Sequence, residues 1–324
     1  MEELSYRDAV ARGLAQEMER DPSVFLIGED VAKAGGVFKT TVGLYERFGE
    51  RRVRDTPISE EAITGMVMGA AMNGLRPVAE LMFSDFFATC WDIIANQIAK
   101  TRYMTGGQVE LPLVIRTANG GGARFGGQHS QSIENWAMAV PGLKVVAPST
   151  PGDVVGLLAA AIRDPDPVMF FEHKALFATK GDVPEGEVVD QLGLARLLRT
   201  GSDVTVVALA AMVPVAIRAA EDLDKLGVSA DVIDLRSLVP LDTQAVAESV
   251  AKTGRLVTVE ENPRLCGWGA EVASIVAEEC FWDLDAPITR VTTPHVPLPA
   301  ADNLEDLALP SAERVVTTVQ ALLD

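Results

Sequence analysis

The sequence predicts an α/β fold of two domains, each a mostly parallel sheet flanked by helices. Three observations predict it: the length of 324 residues, a hydrophobic content of 48%, and short apolar runs that alternate with amphipathic segments. A chain of this length exceeds one small core and suits two domains. Strands that alternate with helices are typical of parallel sheets covered by helices on both faces.

The first half of the chain alternates strands and helices in order. Helical spacing is plain near the N-terminus, where Val10, Leu14 and Met18 share one face. The predicted strands are Ser23–Ile27, Arg76–Phe83, Pro112–Arg116, Lys144–Ala147 and Val168–Phe171. The predicted helices are Tyr6–Glu19, Glu60–Asn73, Phe87–Thr105 and Gly152–Arg163.

This alternation lapses around Lys174–Thr200 and then restarts. Because Lys180–Gly186 is rich in turn residues, it is predicted to be a linker segment. We expect a first domain over residues 1–185, a linker over 186–200 and a second domain over 201–324. The predicted strands of the second domain are Asp203–Leu209, Ser229–Leu235, Arg255–Val259 and Ile288–Thr292. Its predicted helices are Pro214–Leu226, Asp242–Ala251, Ala270–Glu279 and Ser311–Leu323.

Composition excludes several classes of function. The formal net charge of −18 argues against nucleic acid or an anionic membrane as a partner, because both require basic patches. No apolar run approaches the roughly 18 residues of a membrane span, and the acidic N-terminus does not resemble a targeting signal. We therefore expect a cytoplasmic protein. Cys90, Cys266 and Cys280 are far apart and form no CxxC, so buried free thiols are expected.

The first candidate for chemistry is an acidic helix start. Ser59 is a suitable N-cap, and Glu60 and Glu61 suit the positive end of the helix dipole, so both acids could be purely structural. The helix that follows is apolar all round, as in a fully buried helix. Gly65 and Gly69 lie one turn apart and would let another backbone approach closely. Such a helix can also hold a carboxylate at a protected site.

The second candidate is the glycine-rich segment Thr117–Gln131. It follows a predicted strand, where α/β folds place ligand-binding loops. It contains neither GxGxxG nor a Walker A lysine, so a nucleotide loop is disfavoured. His129, one of three histidines, lies near its end. The segment is either a flexible surface loop or a loop that presents this imidazole to a cleft.

A third candidate is the run Asp85, Phe86 and Phe87 after the predicted strand Arg76–Phe83. The aromatic residues could offer a face to a flat ligand, although such residues more often belong to the core.

In this order, these three features resemble the β subunits of the pyruvate, branched-chain 2-oxo acid and acetoin dehydrogenase complexes. The matching stretches of the first domain are Asp55–Gly74, Arg76–Phe86, Gln128–Gln131, Pro141–Val146 and Ala161–Pro167. Those of the second domain are Val232–Pro240, Lys252–Leu256 and Ala286–Arg290. The likeness spans essentially the whole chain. It implies a transketolase-like pyrimidine-binding domain followed by a transketolase C-terminal-like domain.

The resemblance distinguishes the two acids. In the family, a glutamate is followed five residues later by glycine, an apolar residue, two further residues and another glycine. Glu60 fits this pattern with Gly65, Met66 and Gly69, whereas Glu61 does not. The resemblance thus makes Glu60 the glutamate that binds the aminopyrimidine ring of thiamine diphosphate.

Further site residues follow from the same resemblance. It implies that His129 is the second catalytic residue and that Met82 and Phe86 bind the cofactor with Glu60. It also implies a structural K+ site formed largely by backbone carbonyls. The residues of that site are Leu113, Ala161, Ile162, Asp164 and Asp166. Family members often carry asparagine at the last position, so Asp166 departs from the pattern.

A motif that is missing defines the expected partners. In the family, thiamine diphosphate binds through Mg2+ to a Gly-Asp-Gly motif of a separate α subunit, and no such motif occurs here. The resemblance therefore implies an α2β2 E1 assembly that passes an acyl group to the lipoyl domain of an E2 protein. Residues 292–299 and Glu172–Lys174 look more like members that use pyruvate or acetoin than branched-chain members.

Two other functions stay open. A subunit of a split transketolase-like enzyme, which transfers a ketol unit without lipoate, would share the fold and Glu60. A non-catalytic assembly subunit is a third hypothesis, although the presence of Glu60, Phe86 and His129 argues against it.

Overall fold

The computed structural model describes residues 1–323, and the chain divides into two compact units. The first unit contains residues 1–119 and 136–192, and the second contains residues 120–135 and the chain from residue 193 onward. The glycine-rich segment, which lies inside the predicted first domain, thus belongs to the second unit. The limits 1–185 and 201–324 stay a prediction of the domain boundaries.

The first unit is built on a parallel sheet. Its strands are β1 (Glu2–Ser5), β2 (Val24–Gly28), β3 (Val53–Asp55), β4 (Arg76–Phe83), β5 (Val114–Asn119), β6 (Lys144–Val146), β7 (Val168–His173) and β8 (Lys180–Val183). Six of them pair in parallel in the order β6, β7, β5, β4, β2, β3. The central strands are buried on both faces, as parallel sheets between helices require.

The predicted linker over Lys180–Gly186 is wrong for its first half. Residues Lys180–Val183 form β8, which pairs antiparallel with β1, so that Glu2 lies opposite Val183. The turn residues of this segment mark where it begins and ends. They do not reveal its partner strand, β1, which lies at the start of the first unit in sequence.

Helices cover the sheet. In chain order they are α1 (Tyr6–Arg20), α2 (Leu44–Phe48), α3 (Glu60–Met72), α4 (Phe87–Asp92), α5 (Ala99–Met104), α6 (Glu134–Met138) and α7 (Pro151–Arg163). The single helix predicted over Phe87–Thr105 is divided, because a π-helical segment, Ile93–Ile98, separates α4 from α5. π-Helical turns of this kind often occur near functional sites.

A charged group lies in the middle of the first sheet. The guanidinium of Arg116 on β5 donates to Glu80 on β4 at 2.9 Å and to Glu172 on β7 at 2.6 and 2.9 Å. All three side chains are buried. Burial raises the pKa of the Glu172 carboxyl even though Arg116 opposes that rise. The sheet therefore contains two acids and one base that depend on one another for charge compensation.

Gly142 has no room for a side chain. Gly142 has a φ of +104°, and a Cβ placed on it would overlap the carbonyl oxygen of Ala99. The turn before β6 therefore requires glycine, both for its backbone conformation and for the close approach of the helix end.

The second unit contains another mostly parallel sheet. The strands of this unit are β9 (Arg196–Arg199), β10 (Val204–Ala208), β11 (Ala230–Asp234), β12 (Ser237–Val239), β13 (Leu256–Pro263) and β14 (Thr289–Thr293), and all of them except β12 belong to this sheet. The sheet order is β14, β13, β10, β11, β9, with only β9 antiparallel to its neighbour. The helices are α8 (Met212–Asp224), α9 (Thr243–Thr253), α10 (Trp268–Glu279), α11 (Asp302–Ala308) and α12 (Ala312–Leu323).

The structure also bears on the cysteines and on membrane insertion. Cys90 and Cys280 are buried, as expected, but Cys266 is exposed, so that part of the prediction is wrong. Cys266 lies in the turn before α10 with a φ of +56°, a location that the spacing of the cysteines does not reveal. Over residues 1–323, no helix has the length and apolarity needed to cross a bilayer.

Candidate active site

Glu60 is the first residue of α3, at the end of the loop that follows β3. Its side chain is partly exposed, so it can meet a ligand. Ser59 occupies the N-cap position, but its side chain makes no capping hydrogen bond, contrary to the local expectation. The helix dipole still favours a negative charge at this end of α3. Glu61, the other candidate, is exposed beside it.

A threonine connects Glu60 with the predicted cofactor aromatic. The hydroxyl of Thr89 lies 3.2 Å from Glu60 Oε2 and 2.8 Å from the carbonyl oxygen of Phe86. Phe86 ends the 3₁₀ turn Ser84–Phe86, and its ring packs edge-on against Phe83 at 5.5 Å between centroids. The structure thus brings together Glu60 and Phe86, which are 26 positions apart. Met82 lies near the end of β4, four residues before Phe86, and is partly buried.

Negative charge accumulates around Glu60. Burial raises the pKa of the Glu29 carboxyl, and the charges of Glu60, Asp30 and Glu80 raise it further. Burial also raises the pKa of the Cys90 thiol to about 12, with a contribution from Glu60. With this raised pKa, the Cys90 side chain is a neutral thiol at physiological pH.

The outer face of α3 differs from the prediction of a fully buried helix. Ile63, Thr64, Val67 and Ala71 are buried against the rest of the unit. On the other face, Met66 and Met72 are 48% and 47% exposed. A Cβ added at Gly65 or Gly69 would meet no atom within 4 Å. The helix is apolar all round because of its sequence, but this chain alone covers only one side of it.

The segment with His129 is described with the second unit. The two chain ends of the loop, which we call its neck, are joined by the hydrogen bond from Gly120 N to the carbonyl oxygen of Gln131, at 3.0 Å. The buried carboxylate of Glu261 on β13 accepts from Gly121 N at 2.6 Å and from the Ser132 hydroxyl at 2.7 Å. Both ends of the segment are therefore attached to one oxygen atom, Glu261 Oε1.

A second buried carboxylate holds the loop farther along. Glu305 of α11, which is fully buried, accepts from Gly122 N at 3.1 Å and from Arg124 N at 3.3 Å. The Arg124 side chain binds Glu305 at 2.7 Å and Asp306 at 2.6 Å. Arg124 itself has a φ of +64°, a conformation that costs a non-glycine residue about 1–3 kcal/mol. We refer to Glu261, Glu305 and Arg124 as the loop clamp.

These contacts favour a loop held by the second unit over a free surface loop. His129 follows a turn in which its own N–H donates to the carbonyl oxygen of Gly126, at 3.3 Å, and its side chain is partly buried. Gly127 is exposed, and a Cβ there would lie 3.3 Å from the Cβ of Pro297. The loop therefore holds the His129 backbone through contacts with the rest of the second unit.

The residues of the predicted K+ site are only partly assembled. The carbonyl oxygens of Ile162 and Asp164 converge on one guanidinium nitrogen of Arg76, at 2.7 and 3.2 Å. The Asp164 carboxylate forms an ion pair with Lys144 at 2.6 Å, and Asp166 pairs with Arg102. The Leu113 carbonyl accepts from Val168 N and the Ala161 carbonyl from Asp164 N. Three protein cations, Arg76, Lys144 and Arg102, thus already bind oxygens of these residues, and K+ binding stays a prediction.

Sequence reasoning missed four residues that build these regions. Thr89 connects Glu60 with Phe86, Glu261 and Glu305 hold the loop, and Glu29 extends the acidic region. One signal was available: Glu261 follows the apolar start of β13 in a run of two acids and an asparagine, and such a polar run at a strand end suggests a role. For Thr89 and Glu305 no local pattern points to the contact.

Comparison with known families adds a second kind of finding. The family model described as transketolase, pyrimidine binding domain matches residues 2–180. The model described as transketolase, C-terminal domain matches residues 193–315. A solved structure described as a split gene transketolase, inactive beta4 tetramer, is similar over 99% of this chain and 98% of its own. Its TM-score is 0.81 at 26% identity.

Curated relatives are similar along the whole chain. The 2-oxoisovalerate dehydrogenase subunit beta of Bacillus subtilis is 45% identical over 100% of both chains. The acetoin:2,6-dichlorophenolindophenol oxidoreductase subunit beta of Cupriavidus necator is 46% identical over 98% of this chain and 96% of its own. The pyruvate dehydrogenase E1 component subunit beta of Rhizobium meliloti is 46% identical over 99% of this chain and 70% of its own.

Proposed function

This chain belongs to the family of E1 β subunits of thiamine-diphosphate-dependent 2-oxo acid dehydrogenases, and from that premise we propose how it acts. It pairs with a separate α subunit in an α2β2 assembly of the cytoplasm. With that subunit it decarboxylates pyruvate or cleaves acetoin and passes the acyl group to the lipoyl domain of an E2 protein. The observation that carries the proposal is the hydrogen-bonded connection from Glu60 through Thr89 to Phe86.

The residues fit one end of the cofactor. The Glu60 carboxyl, partly exposed at the start of α3, would bind a ring nitrogen of the aminopyrimidine, while Phe86 and Met82 would line its face. Bound thiamine diphosphate supplies the carbanion chemistry that breaks the bond beside the carbonyl group. The Thr89 hydroxyl lies 3.2 Å from Glu60 Oε2 and so orients the carboxyl group, which leaves Oε1 to meet the ring nitrogen. The Mg2+–diphosphate end is assigned to the α subunit.

His129 takes the second role. When the acyl group moves to the lipoyl arm, a dithiolane sulfur must receive a proton, and an imidazole is a suited donor near neutral pH. The loop clamp supports this assignment because a proton donor is effective only from a fixed position.

The test of Glu60 uses the chain reconstituted with its α subunit. We expect Glu60→Gln to preserve folding but to slow hydrogen–deuterium exchange at the thiazolium carbon and to remove most turnover, by roughly 10²–10⁴-fold. Glu61→Gln is the matched control and should change little. Normal exchange in Glu60→Gln together with loss of exchange in Glu61→Gln would contradict the assignment.

The proposed division of the cofactor site between two subunits is tested with this chain alone. Without the α subunit, calorimetry should detect no tight, Mg2+-dependent binding of thiamine diphosphate. Micromolar binding by the lone chain would contradict the division of the cofactor between two subunits.

Substrate choice needs a direct comparison. The relatives that act on 2-oxoisovalerate, acetoin and pyruvate by name are all 45–46% identical to this chain, so identity does not discriminate among them. We propose pyruvate or acetoin because residues 292–299 and Glu172–Lys174 resemble those members. A higher kcat/KM for 2-oxoisovalerate in the reconstituted pair would reverse this ranking.

A split transketolase is the second candidate, and the full-length likeness to a split gene transketolase favours keeping it. Such an enzyme would transfer a ketol unit between sugars and would leave a lipoyl domain unmodified. Acylation of a lipoyl domain by the reconstituted pair separates the two candidates.

A further inference from the structure

The loop clamp joins the two ends of the His129 loop through buried carboxylates. Glu261 Oε1 accepts from a backbone N–H at the start of the segment and from the Ser132 hydroxyl just beyond its end. Asn262 adds a bond from its side-chain amide to the Ser132 carbonyl at 2.8 Å. These contacts fix the neck of the loop, because a carboxylate accepts charge-assisted hydrogen bonds that are stronger than neutral ones.

Glu305 and Arg124 fix the side of the loop that leads to His129. Glu305 is fully buried and accepts from the two loop amides on either side of Ala123, those of Gly122 and Arg124, while the Arg124 guanidinium neutralises its charge. Arg124 adopts a φ that favours glycine, and such a conformation persists only where its surroundings over-determine it. The arginine is thus held in an unfavourable backbone conformation by the ion pairs that it makes.

A loop whose only task was to connect two elements would not need this construction. Glycines already permit the turns at Gly120, Gly122 and Gly126, which all have a positive φ. Removing two carboxylates from water is costly unless hydrogen bonds compensate for it. Here the compensating hydrogen bonds come from loop amides and from the Ser132 hydroxyl, next to the end of the segment that carries His129.

We propose that Glu261, Glu305 and Arg124 are positioning residues that hold His129 in place for acyl transfer. The inference rests on the proposed role of His129 and extends it to residues outside the site. The clamp keeps the loop in one conformation, so that the imidazole meets the lipoyl group with its proton correctly placed. Misplacement of a catalytic group by about 1 Å can cost ~10²-fold in rate.

The first measurement follows the loop itself in the full chain. Hydrogen–deuterium exchange of peptides over residues 118–133 should be faster in Glu305→Gln and in Glu261→Gln than in the unaltered chain. An amide nitrogen cannot accept a hydrogen bond, so Glu305→Gln loses one of the two acceptor oxygens that hold Gly122 and Arg124. Glu261→Gln keeps one acceptor oxygen but loses the negative charge that strengthens the bonds from Gly121 and Ser132. Glu313→Gln, on the exposed side of α12, is the matched control and should leave exchange unchanged. Unchanged exchange in both clamp variants would overturn the proposal.

Arg124→Gly provides a variant that does not depend on a buried substitution. Glycine tolerates the φ of +64°, so backbone strain disappears while the ion pairs with Glu305 and Asp306 are lost. We expect faster exchange in the same peptides with no loss of folding. If the loop stayed equally protected in Arg124→Gly, the ion pairs would not hold it.

The second measurement separates positioning from general stability. In the reconstituted pair, the clamp variants should lower kcat for acylation of a lipoyl domain by roughly 10- to 100-fold. Activity with an artificial electron acceptor, and KM for the 2-oxo acid, should change little. Equal losses in both assays would overturn the proposal, because that result indicates a general structural role.

His129→Ala, measured in parallel, distinguishes this failure from failure of the proposed function. If His129→Ala impairs lipoyl acylation and the clamp variants loosen the loop without any loss of acylation, the positioning role is wrong while the role of His129 stands. If His129→Ala impairs neither assay, the role of His129 is wrong, and the inference is overturned with it.

Discussion

The start of α3 and the His129 loop are built in opposite ways. The loop is closed by contacts of the second unit itself, with Glu261 and Glu305 buried beneath it. Glu60 lies at the end of a helix whose outer face, with Gly65 and Gly69, meets nothing within 4 Å. The chain therefore covers one of its two candidate functional regions and leaves the other open. The difference indicates which of them a partner subunit must finish.

The largest effect should come from filling the open face of α3. We expect Gly69→Leu to abolish assembly with the α subunit, and with it all activity, while the lone chain becomes more stable. Leucine is favoured over glycine in a helix by about 1 kcal/mol, and a Cβ at this position meets no atom within 4 Å. Sedimentation measures assembly, and denaturant unfolding measures the stability of the lone chain.

The matched control is Gly13 of α1, where a Cβ would already lie 3.3 Å from Leu158. Gly13→Leu should destabilise the lone chain through overpacking, by about 1–3 kcal/mol. Normal α2β2 assembly by Gly69→Leu would show that this face of α3 is not an interface.

The next largest effect concerns His129. We expect His129→Ala to lower acylation of the lipoyl domain by about 10²–10⁴-fold, as for loss of a positioned general acid. Activity with an artificial electron acceptor, which bypasses lipoate, should fall less. Parallel rate measurements in the two assays test this, and equal losses would assign His129 to cofactor or substrate binding instead.

The buried charged group in the first sheet, Arg116 with Glu80 and Glu172, gives a third prediction. We expect Arg116→Met to destabilise the chain by roughly 3–5 kcal/mol at neutral pH, since Glu80 and Glu172 would then share a buried site without a cation. Denaturant unfolding of the variant and of the unaltered chain measures this difference.

The pH dependence of this loss has a defined sign. The pKa of Glu172 in the folded chain is already above its ordinary value of 4.5, and removal of Arg116 raises it further. The folded state then binds more protons than the unfolded state, so stability falls as pH rises above about 4.5 and recovers in acid. A triple variant that also carries Glu80→Gln and Glu172→Gln should lose this dependence. A constant deficit from pH 4 to 8 would refute the charge explanation.

The smallest effect is a change in protonation. Because the charge of Glu60 contributes to the raised pKa of Glu29, Glu60→Gln should lower that pKa toward its ordinary value. Carboxyl-carbon NMR of the chain labelled in glutamate follows this titration. Glu61→Gln provides the comparison, and an unshifted Glu29 in the Glu60→Gln chain would mean that the two carboxylates do not interact.

The sequence predicted elements best where the pattern is local. The strand Arg76–Phe83 was predicted to the residue, because an apolar run there lies between Gly74 and the polar Ser84. α3 begins at Glu60 as expected, although Ser59 does not cap it. The linker failed because β8 owes its structure to β1, about 180 positions away. The family resemblance identified Glu60 and His129 as candidates, and their assigned roles stay predictions.

Contacts between distant residues account for the rest. Glu80, Arg116 and Glu172 each interrupt an apolar strand, which is a recognisable signal, but their pairing depends on the order of β4, β5 and β7. The sequence alone also gives no reason to join Glu305 with a loop some 180 positions earlier. Periodicity describes which face of an element is apolar; it does not say which element, or which subunit, covers that face.

Gly142 shows that a family motif can be maintained by sterics alone. Neither natural selection nor random mutagenesis should yield a substitution there, because even the Cβ of alanine would collide with the backbone of Ala99. Gly142 is the second residue of Pro141–Val146, one of the stretches that resemble the E1 β family, and sterics alone are enough to require glycine there. In a saturation library of this chain, position 142 should accept no alternative residue.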